Sequence, residues 1–219
     1  MNTVRRGAGA LALAVAGVLF LVYPVVRPYS DEASMQGAAA IGSPWWVVAH
    51  LCAVVGFVLL PLGLLVLRDL VAGSDAARLA GSALVVTWIG VGFVLPYYGA
   101  EIFGLNALAR RVERTGDASL LGLASDVRYA PAALATFGLG LVALAVGAVL
   151  VGVTLWRAMP SLRWAGIVFA VAFVLYLPQF FGPPFLRMAH GVLVAVGCAS
   201  VAVAVRRGVP RPARAGSAG

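Results

Sequence analysis

Six long apolar runs constrain this chain more than any other feature of its sequence. They cover residues 7–27, 45–67, 79–100, 131–156, 164–181 and 184–205. Each is long enough to cross the ~30 Å hydrocarbon core of a bilayer as a helix, the fifth being the shortest. No water reaches a free backbone N–H or C=O inside a bilayer, so a spanning segment is a helix or part of a closed barrel. Alternating segments of barrel length are absent. The expected fold is therefore all-α, a polytopic membrane helical bundle with six transmembrane helices in a single domain over residues 1–205. Composition removes the competing classes. Apolar residues make up 62% of the chain and charged residues 11%, against roughly 45–50% and ~25% in soluble domains. A soluble enzyme, a disordered protein and a disulfide-stapled secreted domain are excluded. Cys52 and Cys198 both fall inside apolar runs and read as free buried thiols.

The first run has some marks of a signal peptide. Arg5 and Arg6 precede it, and Ala14-Val15-Ala16 resembles a cleavage site. Apolar sequence continues through Val22, too long for an ordinary signal core, so the run reads as an uncleaved first span.

Orientation follows from arginine, which supplies all 16 basic residues. That bias, with the abundance of Ala, Val and Gly, reads as the product of a GC-rich bacterial genome. With a cytoplasmic N-terminus, ten arginines fall in inner segments. Six fall outside: Arg27, Arg110, Arg111, Arg114, Arg128 and Arg187. The excess favours both termini inside (N-in/C-in) a bacterial plasma (inner) membrane. Tyr23, Tyr29, Trp45, Trp46, Tyr97, Tyr98, Tyr129, Phe180 and Phe181 mark the expected outer boundary, and Trp156 and Trp164 the inner one. A pI near 10.5 does not make this a nucleic-acid binder, because the arginines flank apolar runs and form no basic patch interleaved with aromatics.

The connections are uneven. Residues 101–130 are the longest. Leu105, Leu108, Ala109 and Val112 recur at helical spacing, so the third span is expected to continue as an amphipathic helix. Thr115-Gly116-Asp117 then breaks it, and Leu120, Leu121, Leu123 and Ala124 suit a short helix lying on the outer interface. The tight links at 157–163 and 182–184 make the last three spans antiparallel neighbours. Prolines punctuate the run ends, with Pro44, Pro131 and Pro184 opening the second, fourth and sixth. Residues 206–219 are expected to be a disordered basic cytoplasmic tail.

Ionisable groups within spans are costly, by ~2.5–3.5 kcal/mol at mid-helix on insertion scales. His50 and His190 each lie about six residues from the outer ends of their runs, roughly 9 Å deep at ~1.5 Å per residue. Arg187 precedes His190 by one turn, and Glu101 stands at the outer end of the third run, with Tyr97 and Tyr98 below it on the same face. Tyr176 and Gln179 close the fifth. These eight residues are expected to form a polar pocket open to the outside, with Glu101 paired to Arg187. Two sharper readings use the same groups. His50 and His190 could be axial ligands of a haem b, with Gly56 and Gly197 leaving room for the macrocycle. His50, His190 and Glu101 could instead form a zinc site, which would make the protein a membrane-embedded hydrolase.

No nucleophile elbow or phosphate loop is present, and Gly90-Val91-Gly92 and Gly138-Leu139-Gly140 lie in apolar helices where glycine serves packing. The segments Pro44-Trp45-Trp46-Val47-Val48-Ala49-His50-Leu51 and Arg187-Met188-Ala189-His190-Gly191 resemble those of uncharacterised six-span membrane proteins of high-GC bacteria. The resemblance implies a six-span fold and brings no activity with it. The expected function is a non-enzymatic one. The bilayer is the one certain partner, and the pocket would take a small molecule, a lipid headgroup or an ion.

Overall fold

The computed structural model describes residues 2–208 and is all-helical, with no strand among them. Its α-helices are α1 (Thr3–Val26), α2 (Met35–Gly42), α3 (Pro44–Leu70), α4 (Ala77–Gly99), α5 (Asn106–Thr115), α6 (Gly122–Tyr129), α7 (Pro131–Ala158), α8 (Arg163–Val174) and α9 (Pro184–Arg207). A π-helical turn, Ala100–Leu105, joins α4 to α5 without a break. Pro44, Pro131 and Pro184 each occupy a first helical turn, where the missing N–H has no partner to lose. Ser43 caps α3 by accepting from the Trp46 N–H at 3.3 Å.

Five of these helical stretches are long and apolar enough to cross a membrane: Thr3–Val26, Pro44–Leu70, Ala77–Thr115, Pro131–Ala158 and Pro184–Arg207. The fifth run of the sequence gives less helix than its length suggests. α8 has 12 residues, about 18 Å at ~1.5 Å per residue. Pro178 explains the stop. A proline ring clashes with the carbonyl four residues earlier, which is that of Val174, the last residue of α8. The chain continues as a turn and a short 3-10 segment, Pro178–Phe181. A second departure lies at the far end. Arg206 and Arg207 complete the last turn of α9 instead of opening a disordered tail, and 209–219 lie outside the described residues.

α1, α3, α4, α7, α8 and α9 pack in chain order, and α9 returns to α1, so six helices close a ring. Lipid tails are as apolar as the side chains, so helices in a bilayer associate mainly through close packing and small residues. The crossings show this. A Cβ on Gly166 would stand 2.7 Å from the Gly152 Cα, one on Gly90 would stand 2.9 Å from the Gly140 carbonyl oxygen, and one on Gly197 would stand 2.9 Å from the Phe169 Cα. A Cβ on Gly56 would stand 3.2 Å from the Phe20 ring. The openings that Gly56 and Gly197 would leave for a macrocycle are therefore filled.

Inside the ring an aromatic plug forms around Phe20, whose centroid lies 4.8 Å from Phe57, 6.0 Å from Phe173 and 5.9 Å from Tyr176. On one side the plug continues into a buried aliphatic core that includes Leu13, Leu60, Leu64, Leu141 and Leu144. The helix ends beyond that core carry Arg5, Arg6, Arg68, Arg78, Arg157 and Arg163.

The opposite end is capped. α5 lies against α2, an eight-residue helix that no periodicity in the sequence announces. Ile41, Trp46, Leu105, Ala109 and Ala124 form one small core there, and Ala38, Val112 and Leu121 another. Asn106 donates its amide to the Ile41 carbonyl at 2.7 Å and ties the two layers. Gly116, at φ 70°, ends α5 in a left-handed conformation that glycine adopts without strain. Trp45 is exposed, as a boundary aromatic should be. Trp46 and Tyr98 are buried inside the protein instead.

Candidate functional site

The capped end is organised by four charged side chains in a row. Arg27, just after α1, donates from Nη2 to Glu32 Oε1 at 2.6 Å. Arg128, near the end of α6, donates from Nη1 to the other oxygen of Glu32. The same guanidinium grips Glu101 with two bonds, Nε to Oε1 at 2.7 Å and Nη2 to Oε2 at 2.9 Å. Such bidentate pairs are the strongest form of charge-assisted hydrogen bond. Trp46 fixes the lower edge. Its indole N–H donates to the Glu101 backbone carbonyl at 3.0 Å, and the Arg27 guanidinium lies 4.5 Å from its ring, a cation–π contact. The π turn presents Glu101, which is only 7% exposed. π-helical turns are often found at functional sites.

Electrostatics follow the geometry. Burial alone would raise the carboxyl pKa of Glu32, but Arg128 and Arg27 outweigh it and hold it below the usual glutamate value. Burial would likewise lower the Arg128 pKa, and the bonds and charges of Glu101 and Glu32 reverse that, keeping it fully charged. A depressed carboxyl pKa gives stability that is complete above the ordinary value of 4.5 and is lost as pH falls through the lower folded value. The melting temperature of wild type should therefore exceed that of Glu32→Gln near neutral pH. The gap should begin to narrow below about pH 4.5 and close as pH falls through the lower folded value. A gap independent of pH would refute this electrostatic role.

Beneath the ion row lies a cavity of about 330 Å³, lined in part by Tyr23, Arg27, Glu32, His50, Tyr97, Tyr98, Glu101, Arg128, Phe137, Phe180 and Arg187. Its floor is the aromatic plug, since Tyr98 lies 5.5 Å from Phe57. His50 is buried, donates from Nδ1 to the Trp46 carbonyl at 2.7 Å, and packs against Tyr23 and Tyr98. Its Nε2 makes no hydrogen bond among the described residues. The Tyr98 hydroxyl is buried with no hydrogen-bond partner.

Five of the eight residues expected to form a pocket thus line one cavity: His50, Tyr97, Tyr98, Glu101 and Arg187. The other three do not. Tyr176, Gln179 and His190 line an adjacent cleft of about 10 Å³, which Arg187 also borders. His190 donates from Nε2 to the Ala172 carbonyl at 2.8 Å. The two imidazoles are thus separately engaged, His50 within α3 and His190 across to α8. No group of three His, Cys, Asp or Glu residues gathers as a metal-ligand set among the described residues.

The expected Glu101–Arg187 pair does not form. Arg187 donates instead to the carbonyls of Gly182 at 3.1 Å and Phe180 at 2.7 Å, which fastens the turn before α9. Glu101 takes Arg128, and Arg27 and Glu32 complete the row. The sequence shows these three only as ordinary charges of the outer segments, with no spacing that marks them.

The fold and this site define a class: an all-helical, multi-pass membrane protein with a cavity of aromatic and charged lining at one end. Beyond the class, the chain matches no family model, no curated protein and no solved structure.

Proposed function

We propose that this is a non-enzymatic protein of the bacterial plasma membrane whose cavity holds a small molecule, a lipid headgroup or an ion, in a binding or transport-accessory role. In this reading the chain crosses six times, α8 and its flanking turns making the fifth and shortest crossing. The capped end faces outward and the termini are cytoplasmic. The arginine excess at the other end supports that orientation, and the two quoted segments support kinship with six-span proteins of high-GC bacteria.

The observation that carries the reading is the cavity itself. At about 330 Å³ it falls in the usual range of ligand pockets, ~300–1,000 Å³. It combines aromatic walls with three arginines and two glutamates, and the aromatic plug around Phe20 and Phe57 packs against Tyr98 in its lining. Its carboxylates are already bonded to arginines, which suits a positioning frame better than acid–base chemistry.

The test is mass and optical analysis of what stays bound to the full chain after gentle purification. His50→Ala should reduce retention of the bound species by about tenfold, the equivalent of one hydrogen bond at ~1.4 kcal/mol. His190→Ala should reduce it less, because that ring faces the neighbouring cleft. Identical retention in wild type and both variants would make the cavity merely structural.

A further inference from the structure

Three features of the cavity bear on what would enter it. The first is charge. Arg27 and Arg128 are each tied to a carboxylate, whereas Arg187 pairs with none among the described residues. Its guanidinium is held in place by the Gly182 and Phe180 carbonyls, and its Nη1 has no hydrogen bond. Three arginines against two glutamates leave the lining one positive charge in excess.

The second feature is polarity at depth. Tyr98 is 2% exposed, yet its hydroxyl lacks a partner, and the Nε2 of His50, on the cavity lining, makes no hydrogen bond among the described residues. A buried polar group without a partner is costly, so the Tyr98 hydroxyl in particular favours a ligand that carries hydroxyl groups.

The third is access. The ion row lies on the cap side. The lining also includes Leu134 at 48%, Leu177 at 39% and Phe181 at 87% exposure. These apolar side chains stand between the start of α7 and the segment that follows α8, where Pro178 has ended the helix. On the membrane-facing side of a bundle, exposed apolar side chains such as these meet acyl chains, with the Phe137–Phe180 contact at 5.7 Å set beside them.

On the reading that the cavity binds a ligand, we propose that the ligand is an anionic phospholipid with a hydroxylated headgroup, admitted sideways between α7 and the 175–181 segment. The phosphate sits on Arg187, the headgroup hydroxyls reach toward Tyr98 and His50, and the acyl chains remain in the surrounding leaflet. The same charge attraction holds anionic headgroups in basic pockets between membrane helices on the cytoplasmic side.

The test is native mass spectrometry of the delipidated full chain. Phosphatidylglycerol, phosphatidylcholine with the same acyl chains, and inorganic phosphate are added separately. Wild type should retain one phosphatidylglycerol at least tenfold more tightly than phosphatidylcholine. Arg187→Gln should bring the two to parity. Leu134→Trp, at an exposed position that the fold does not depend on, should narrow the gap and lower phosphatidylglycerol retention about tenfold. It carries the test alone if Arg187→Gln does not fold.

Equal retention of the two lipids by wild type, or a preference that survives Arg187→Gln, overturns the proposal. So does undiminished phosphatidylglycerol binding in Leu134→Trp. Inorganic phosphate that displaces no lipid is expected, and phosphate retained in place of lipid means a free-anion site and also overturns it. If a bound species is lost with His50→Ala while the lipid preference ignores Arg187, the lipid assignment falls and the binding cavity stands. If none of His50→Ala, His190→Ala and Arg187→Gln changes what is retained, both fall.

Discussion

Replacing Arg128 with leucine should destabilise the protein by about 3–5 kcal/mol, the usual cost of removing one partner from a buried ion pair. The reason lies in Glu101. It is 7% exposed, and both of its carboxylate oxygens accept from Arg128 and from no other side chain. Without Arg128 a charged carboxylate stays at the membrane boundary with nothing to bind. Glu32 suffers less, because Arg27 still holds it. The double variant Arg128→Leu with Glu101→Gln should recover much of the loss, since it removes the stranded charge as well. Reversible unfolding in micelles checks both. If the double variant is as unstable as the single, Arg128 acts through packing against Trp46 and not through Glu101.

The second large effect is expected where α7 crosses α8. A Cβ on Gly166 would stand 2.7 Å from the Gly152 Cα, and the obstacle is backbone, which cannot rotate aside. Overpacking a tight interior costs ~1–3 kcal/mol. Gly166→Ala should fall in that range, and Gly166→Leu should exceed it by forcing the helices apart and opening the ring. Gly92 provides the contrast. Its Cβ would meet nothing within 4 Å, so Gly92→Ala should be neutral or gain up to ~1 kcal/mol from helix propensity. Comparable losses at the two positions would show that the crossing is not set by backbone contact.

These expectations trace a division between what is legible in the chain and what is not. The membrane class, the existence of the helices and most of their ends are local properties. Apolar length, proline position and the break at Gly116 announce them without reference to the rest of the molecule. The extension of the third run into an amphipathic helix was legible for the same reason, because Leu105, Ala109 and Val112 share one face. α2 was not. Met35–Gly42 is short and rich in Ala and Gly, and it is held by α5 rather than by any pattern of its own.

Glu101 and the cavity lining divide in the same way. That buried charges, two histidines and the tyrosines would gather near one end followed from their depth in the runs, because depth along a helix is fixed at ~1.5 Å per residue. Which of them meet depends on rotation about each helix axis and on the packing order around the ring. The π turn alters the phase of the helix at Glu101, and the tertiary fold delivers Arg128 to it from 27 residues away. A helical wheel drawn through α4 has no means of choosing between Arg128 and Arg187. The sequence alone determined how deep each polar group lies. The fold decided which way it faces, because depth is a local repeat and direction is set only when neighbouring helices lock their backbones together.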